Sequence, residues 1–237
     1  MIKNTQITLF VIIALVIVVI VVGFFIFNNK NSSYLYNSNV QLVKNNVEFC
    51  LINISRNAID LVSMFGGNYV LSSIENTSNL ASFLPVYNQD PPNKVILESN
   101  IAYLIDNNLL TCMTKFKNYS FSVNFGKSYS RVFLNSKTAR VGTEMMTSMV
   151  LGEERYALKN YEVIINTNLS LLYSLAVEFS NSNYFNDGSV CISCIENFSS
   201  SNNLLINTLD LGDSMLVNFA YPVDNLNNSE IFNFIIK

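Results

Sequence analysis

Four cysteines, Cys50, Cys112, Cys191 and Cys194, carry the one spacing in this chain that is specific to a chemistry. Cys191-Ile192-Ser193-Cys194 has the spacing of a thiol–disulfide redox pair, of a single zinc knuckle and of a short structural disulfide. A redox pair belongs at a strand-to-helix turn, and here the motif is expected in a loop after a Ser/Asn-rich segment. A four-cysteine zinc site usually shows two such knuckles, and only one is present. An even cysteine count in an exported domain fits two disulfides, with three possible connectivities. Cys50 lies on the apolar stripe of one expected helix, and Cys112 ends the apolar face of the next. Packing along those faces favours Cys50–Cys112 together with Cys191–Cys194, both as structural staples.

Other chemistries are excluded by composition. The chain has no His, which removes Ser-His-Asp and Cys-His catalysis and His-ligated metals. It has no phosphate loop, dinucleotide fingerprint or metalloprotease signature. Asp210 and Asp213 flank Gly212, and turn chemistry accounts for them better than Ca²⁺. No catalytic residue, cofactor or metal is expected, and the chain does not read as an enzyme. From Asn31 onward, twelve basic residues stand against seventeen acidic ones, a net charge of −5. Without clustered Lys and Arg, a nucleic-acid partner is not expected. The thirty-six Asn and seven Asn-x-Ser/Thr sequons reflect a general Asn bias, since chance alone yields about as many.

These residues need elements to position them, and the first is a membrane helix. Residues 9–27 are nineteen consecutive apolar or Gly residues, which at about 1.5 Å per residue nearly match a ~30 Å hydrocarbon core. Asn28, Asn29, Lys30 and Asn31 follow without a signal-peptidase site, so an uncleaved anchor is expected. The expected organisation is a short cytoplasmic N-terminus at 1–8, a transmembrane helix at 9–27, a polar linker at 28–39 and an extracellular domain at 40–237. The lipid bilayer is the implied partner, with one span in the cell membrane and the N-terminus cytoplasmic.

The distal domain reads as α+β, with helices packed on a mainly antiparallel sheet. Val40, Val47, Ile54 and Leu61 are spaced by sevens, with Val43, Cys50 and Met64 between them, and Gly66-Gly67 stops that helix. Short strands are expected around Tyr69–Leu71 and Phe83–Tyr87. A second helix is expected to be capped at Asp90-Pro91-Pro92, with Leu97, Ile101, Leu104, Ile105 and Cys112 on its apolar face. Phe121, Val123 and Phe125 alternate as a strand, Gly126 is expected to turn, and Val132 and Leu134 resume. Extended segments follow near Met149–Leu151 and Tyr156–Ile165, then a helix over Leu169–Phe179. A hairpin of Leu204–Leu211 and Ser214–Tyr221 around Gly212-Asp213 and a last strand, Ile231–Ile236, close the chain.

The opening Lys3-Asn4-Thr5-Gln6-Ile7-Thr8-Leu9-Phe10 resembles that of uncharacterised single-pass membrane proteins of small-genome (DPANN) archaea. The likeness continues in Val47-Glu48-Phe49-Cys50-Leu51, Gly66-Gly67-Asn68-Tyr69, Asn107-Asn108-Leu109-Leu110-Thr111-Cys112 and the Cys191–Cys194 pair. It implies the same single-span architecture and no assigned activity. The opening is also similar to archaeal type IV pilins, in which a peptidase cuts before Gln. The cut would fall between Thr5 and Gln6, with Phe10 where pilins carry Glu. A membrane-anchored surface protein with a structural or interaction role is therefore the first expectation, and a pilin-like filament subunit the second. Partners would be other surface proteins or copies of the chain.

Overall fold

A computed structural model describes residues 17–18, 38–68, 84–116, 119–182, 184–186, 189–222 and 229–237. The chain divides into two compact units, 1–45 and 46–237. Apart from 17 and 18, which are helical and exposed, the expected span at 9–27 lies outside the described residues. Among the described residues no helix is long and apolar enough to cross a membrane. The strand expected at Tyr69–Leu71 also lies outside them.

A helix over 38–64, α1, begins two residues inside the expected polar linker. Its apolar face differs from the sevenfold stripe. Val47 and Cys50 are buried, but the seam then passes to Leu51, Ala58, Ile59 and Val62, leaving Leu61 and Met64 exposed. A straight α-helix drifts by about 20° per heptad against a strict seven-residue spacing, and two heptads carry Leu61 off the core. The helix ends in a Schellman cap: Gly67 N–H donates to Val62 O at 2.8 Å and Gly66 N–H to Ser63 O at 3.0 Å. Gly66 has φ +62°, and a Cβ there would lie 2.3 Å from Asn233 O, so both conformation and space require glycine.

The second helix, α2 (Lys94–Met113), is capped by Asn93 and not by Asp90: the Asn93 side chain accepts from Ile96 N–H at 2.9 Å. Its buried face is Leu97, Ile101, Leu104, Ile105, Leu109 and Met113. Ahead of it, Phe83–Tyr87 yields only a parallel bridge between Val86 and Ile235 in place of a strand, Phe83 itself lying outside the described residues. A long antiparallel meander follows, β1 (Ser122–Leu134), β2 (Thr138–Leu151) and β3 (Glu154–Asn166), in the order β1-β2-β3. Gly126 does not turn. It lies inside β1 where the register slips between Phe125 and Ser128, and a Cβ there would stand 3.1 Å from Met146 O, so the glycine serves a bulge. Along β2, Ala139, Val141, Thr143, Met145, Thr147 and Met149 are buried in strict alternation.

Helix α3 (Leu169–Ser180) leads to a two-residue hairpin pair, β4 (Phe185–Asn186) and β5 (Ser189–Val190), and then to α4 (Ile192–Asn202). The second three-stranded antiparallel sheet is β6 (Leu205–Asp210), β7 (Met215–Pro222) and β8 (Ser229–Ile236). Gly212, with φ +93°, closes its first hairpin, and Gly212 N–H donates to Asp210 Oδ1 at 2.8 Å, so Asp210 is a turn residue. The fold is thus α+β, but with two antiparallel sheets. Phe179 of α3 meets Phe219 edge-on at 5.3 Å and Phe198 of α4 at 5.2 Å. Tyr87 meets Phe234 with ring centroids 4.9 Å apart and the planes tilted by 50°. Each of these buried rings contributes on the order of 2–3 kcal/mol. Tyr87 also donates to Gly66 O at 3.0 Å, and burial pushes its phenol up, which keeps it a donor.

Candidate functional sites

The four cysteines form two bonds, Cys50–Cys112 and Cys191–Cys194. They differ in setting. Cys50 is fully buried between α1 and α2, and its bond closes a separation of 62 residues. Chain entropy assigns such a loop about 4 kcal/mol and a four-residue loop only about 2 kcal/mol. The staple role therefore rests mainly on Cys50–Cys112.

Cys191–Cys194 has surroundings different from the expected loop. Cys191 directly follows β5 and is the N-cap of α4, so the motif sits at a strand-to-helix turn, though of an antiparallel hairpin. Its backbone N–H donates to Tyr184 O at 3.0 Å, and its carbonyl accepts from Cys194 N–H and Ile195 N–H, each at 3.1 Å. Both cysteines are half-buried. The composition around them, rich in Ser and Asn, concealed the helix, because those residues are weak helix formers in isolation.

A cleft of about 610 Å³ lies beside the start of β8. The exposed Arg56 and Asp60 and the buried Ser63, on one side of α1, line it together with Thr167 after β3 and Glu230 of β8. Ser63 Oγ donates to Ile231 O, tying α1 to the strand. Desolvation raises the Glu230 carboxyl above its ordinary value, and the Asp60 carboxylate adds to the rise, while bonds from Asn168 and Thr167 oppose it. Asp60 is also raised by desolvation, with Arg56 pulling it down. Among the described residues the cleft holds one cation and two carboxylates, a set suited to a small polar ligand. The sequence alone does not mark these residues, because Asp60 and Glu230 are far apart in the chain and form no motif. The one local signal is the Arg56/Asp60 spacing of four on a helix.

A second groove, of about 420 Å³, runs between α1 and α2. Ile54 and Leu61, the stripe residues displaced from the core, line it with Leu104, and Phe49 meets Phe116 edge-on at 6.3 Å at one end. Asn53, Asn57 and Asn108 supply its polar rim. Among the described residues no group of three or more His, Cys, Asp or Glu side chains is placed to hold a metal ion. No protein-family model, curated protein or solved structure matches the chain.

Proposed function

We propose that the chain is a single-pass surface protein, anchored through residues 9–27 with its N-terminus cytoplasmic and its α+β domain extracellular. Its role is structural or interactive. The observation that carries this reading is the pair of disulfides in the domain that follows a nineteen-residue apolar run. Such bonds persist outside the reducing cytosol, and a run of that length suits one bilayer crossing. The half-polar groove between α1 and α2 supports an interaction role, because Phe49 and Leu61 are exposed there beside hydrogen-bonding Asn side chains.

Added protease tests the topology. With intact cells it should remove the domain and spare the N-terminal end. Protection of the domain until lysis would overturn the reading.

A pilin-like filament subunit is the second reading, favoured by the Lys3-to-Thr8 opening with its cleavable context before Gln6. Mass analysis of the native N-terminus separates the two: Met1 retained supports the anchor, and Gln6 as first residue the filament.

A further inference from the structure

We infer that Cys191–Cys194 is a thiol–disulfide exchange site whose substrates are polypeptide dithiols, an activity beyond surface display. Three independent features converge on it. The first is the pair itself, a bonded Cys-x-x-Cys in which Cys191 caps an eleven-residue helix. The backbone N–H groups of Ile192 and Ser193 belong to the first turn of α4, where a helix offers its own donors no acceptor; the bonded Cys191 sulfur makes no capping bond to them, and once reduced it becomes the negative acceptor that they favour.

The second is the Ser193 hydroxyl, 3.7 Å from the Cys191 sulfur and able to donate to it once the bond opens. The third is a docking surface. Ile192, between the two cysteines, is 69% exposed, and Val190, just before them, is 36% exposed. Two open apolar side chains at the bond fit an unfolded polypeptide better than a small hydrophilic thiol. By contrast Cys50 is wholly buried and only Cys112 is half-exposed, at the groove between α1 and α2, so the other disulfide can be approached from one sulfur alone.

The reaction balances without a metal or cofactor. A substrate thiolate attacks the Cys191 sulfur, the Cys191–Cys194 bond breaks, and Cys194 leaves as the thiolate. The second substrate thiolate attacks the substrate sulfur of the mixed disulfide and expels the Cys191 thiolate, which its low basicity makes the better leaving group. The substrate dithiol has become a disulfide, and Cys191 and Cys194 have taken up its two electrons and, from solvent, its two protons. A low-molecular-weight disulfide reverses the change at Cys191 and Cys194, releasing two equivalents of its thiol.

The test uses the full chain with three probes: a synthetic peptide carrying two cysteines, glutathione in both redox states, and iodoacetamide. In glutathione buffers of increasing reducing power, Cys191–Cys194 should open while peptide mapping finds Cys50–Cys112 closed. The reduced chain should then be alkylated at Cys191 about tenfold faster near pH 6 than an unfolded peptide copy of residues 189–202, as a depressed thiol pKa requires. The oxidised chain should convert the dithiol peptide to its disulfide, one for one. Ile192→Ser should slow that conversion severalfold more than it slows exchange with glutathione. Alkylation no faster than in the unfolded copy, or opening of both disulfides over the same buffer range, would overturn the proposal. An Ile192→Ser chain that slows both substrates equally would overturn the polypeptide assignment.

Discussion

The carboxylate of Glu230, on β8, accepts the backbone N–H of Asn168 at 2.6 Å and so caps helix α3 from a strand sixty-two residues further along the chain. Asn168 makes no side-chain cap of its own. Instead Thr167 Oγ1 accepts from Leu169 N–H at 3.1 Å, and the negative Glu230 faces the positive end of the helix dipole. The same carboxylate lines the cleft with Arg56 and Asp60, so ligand chemistry and helix capping converge on one residue.

That double duty predicts a pH signature. The folded state holds the Glu230 proton more tightly than the unfolded chain, because its carboxyl is raised above the ordinary 4.5. Its contribution to stability is therefore fully present below the ordinary value and is lost as pH rises through the folded value. Glu230→Gln keeps an acceptor for Asn168 and removes the titration. Urea midpoints measured from pH 4 to 8 should fall with pH less steeply in Glu230→Gln than in the parent. Glu230→Ala should lie about 1 kcal/mol below Glu230→Gln at every pH, since neither chain titrates at this position and only the Ala chain lacks the cap. An unchanged slope in the Gln chain would show that Glu230 does not titrate in this window.

Much of the fold was legible because periodicity reports burial directly. The apolar face of α2, the extent of α3 and the hairpin at Gly212 all follow from local pattern. What was not legible has particular causes. Gly126 carries the local signature of a turn, because a bulge glycine and a turn glycine look alike without the partner strand, here at Met146. The first half of β2 is hard to read because Thr143 is polar but buried and Met146 apolar but exposed, which blurs the alternation that places Val141 and Met145 inside. The Asn93 cap was masked by the more conspicuous Asp90-Pro91-Pro92. The cysteine motif has a loop-like composition because Ser199, Ser200 and Ser201 hide a helix held by tertiary contacts, among them Phe198 in the aromatic core. The cleft could not be found at all, since no local pattern links α1 to β8.

Edge protection of the first sheet makes a second prediction. β1 is an edge strand, and two of its backbone N–H groups, those of Ser130 and Leu134, are satisfied by carboxylates of α2. Asp106 accepts from Ser130 N–H at 3.1 Å through Oδ2 and from Ser130 Oγ at 2.7 Å through Oδ1, and Glu98 accepts from Leu134 N–H at 2.9 Å. Bonds to charged acceptors are worth about 1.5–3 kcal/mol each, and a stranded donor costs a similar amount. Asp106→Ala should therefore destabilise the chain by about 2–3 kcal/mol in denaturant titration, and Asp106→Asn, which keeps one acceptor oxygen, by less. An exposed edge also templates pairing with other chains, so the Ala variant should aggregate more readily by light scattering. A loss below about 0.5 kcal/mol, the usual range for surface changes, would show that the edge is protected by other means.

The long disulfide makes a third. Cys50→Ser and Cys112→Ser each break the same bond across 62 residues, for which chain entropy gives about 4 kcal/mol. The two single changes should be similar in size, and the double change should cost little more than either. Denaturation midpoints of the three chains, with free thiols blocked, measure this coupling. Additive losses would mean that the two sulfurs stabilise the helix pair separately, through packing, and that the bond contributes little.

The last prediction decides between anchor and filament. Lipid asks a spanning helix only for apolarity and length, because the bilayer offers no directional partner to its side chains. A filament core asks for more: particular side chains must interlock along one face of each helix, as knobs do in holes. Replacing 9–27 by an unrelated apolar span of equal length should therefore leave surface display and domain stability intact if the segment is a tether. The polar run Asn28–Asn39, with five Asn and three Ser, favours that outcome, because a filament helix continues without a break into its head domain. The drift of the α1 stripe favours it too: from Leu51 to Val62 the buried seam leaves the sevenfold positions, so that face is shaped for its own core and not for a regular partner helix. Display should be read by surface labelling, assembly by electron microscopy of the same cells, and domain stability by protease resistance. Filaments on cells carrying the parent chain that vanish with the swapped span would make the filament reading correct.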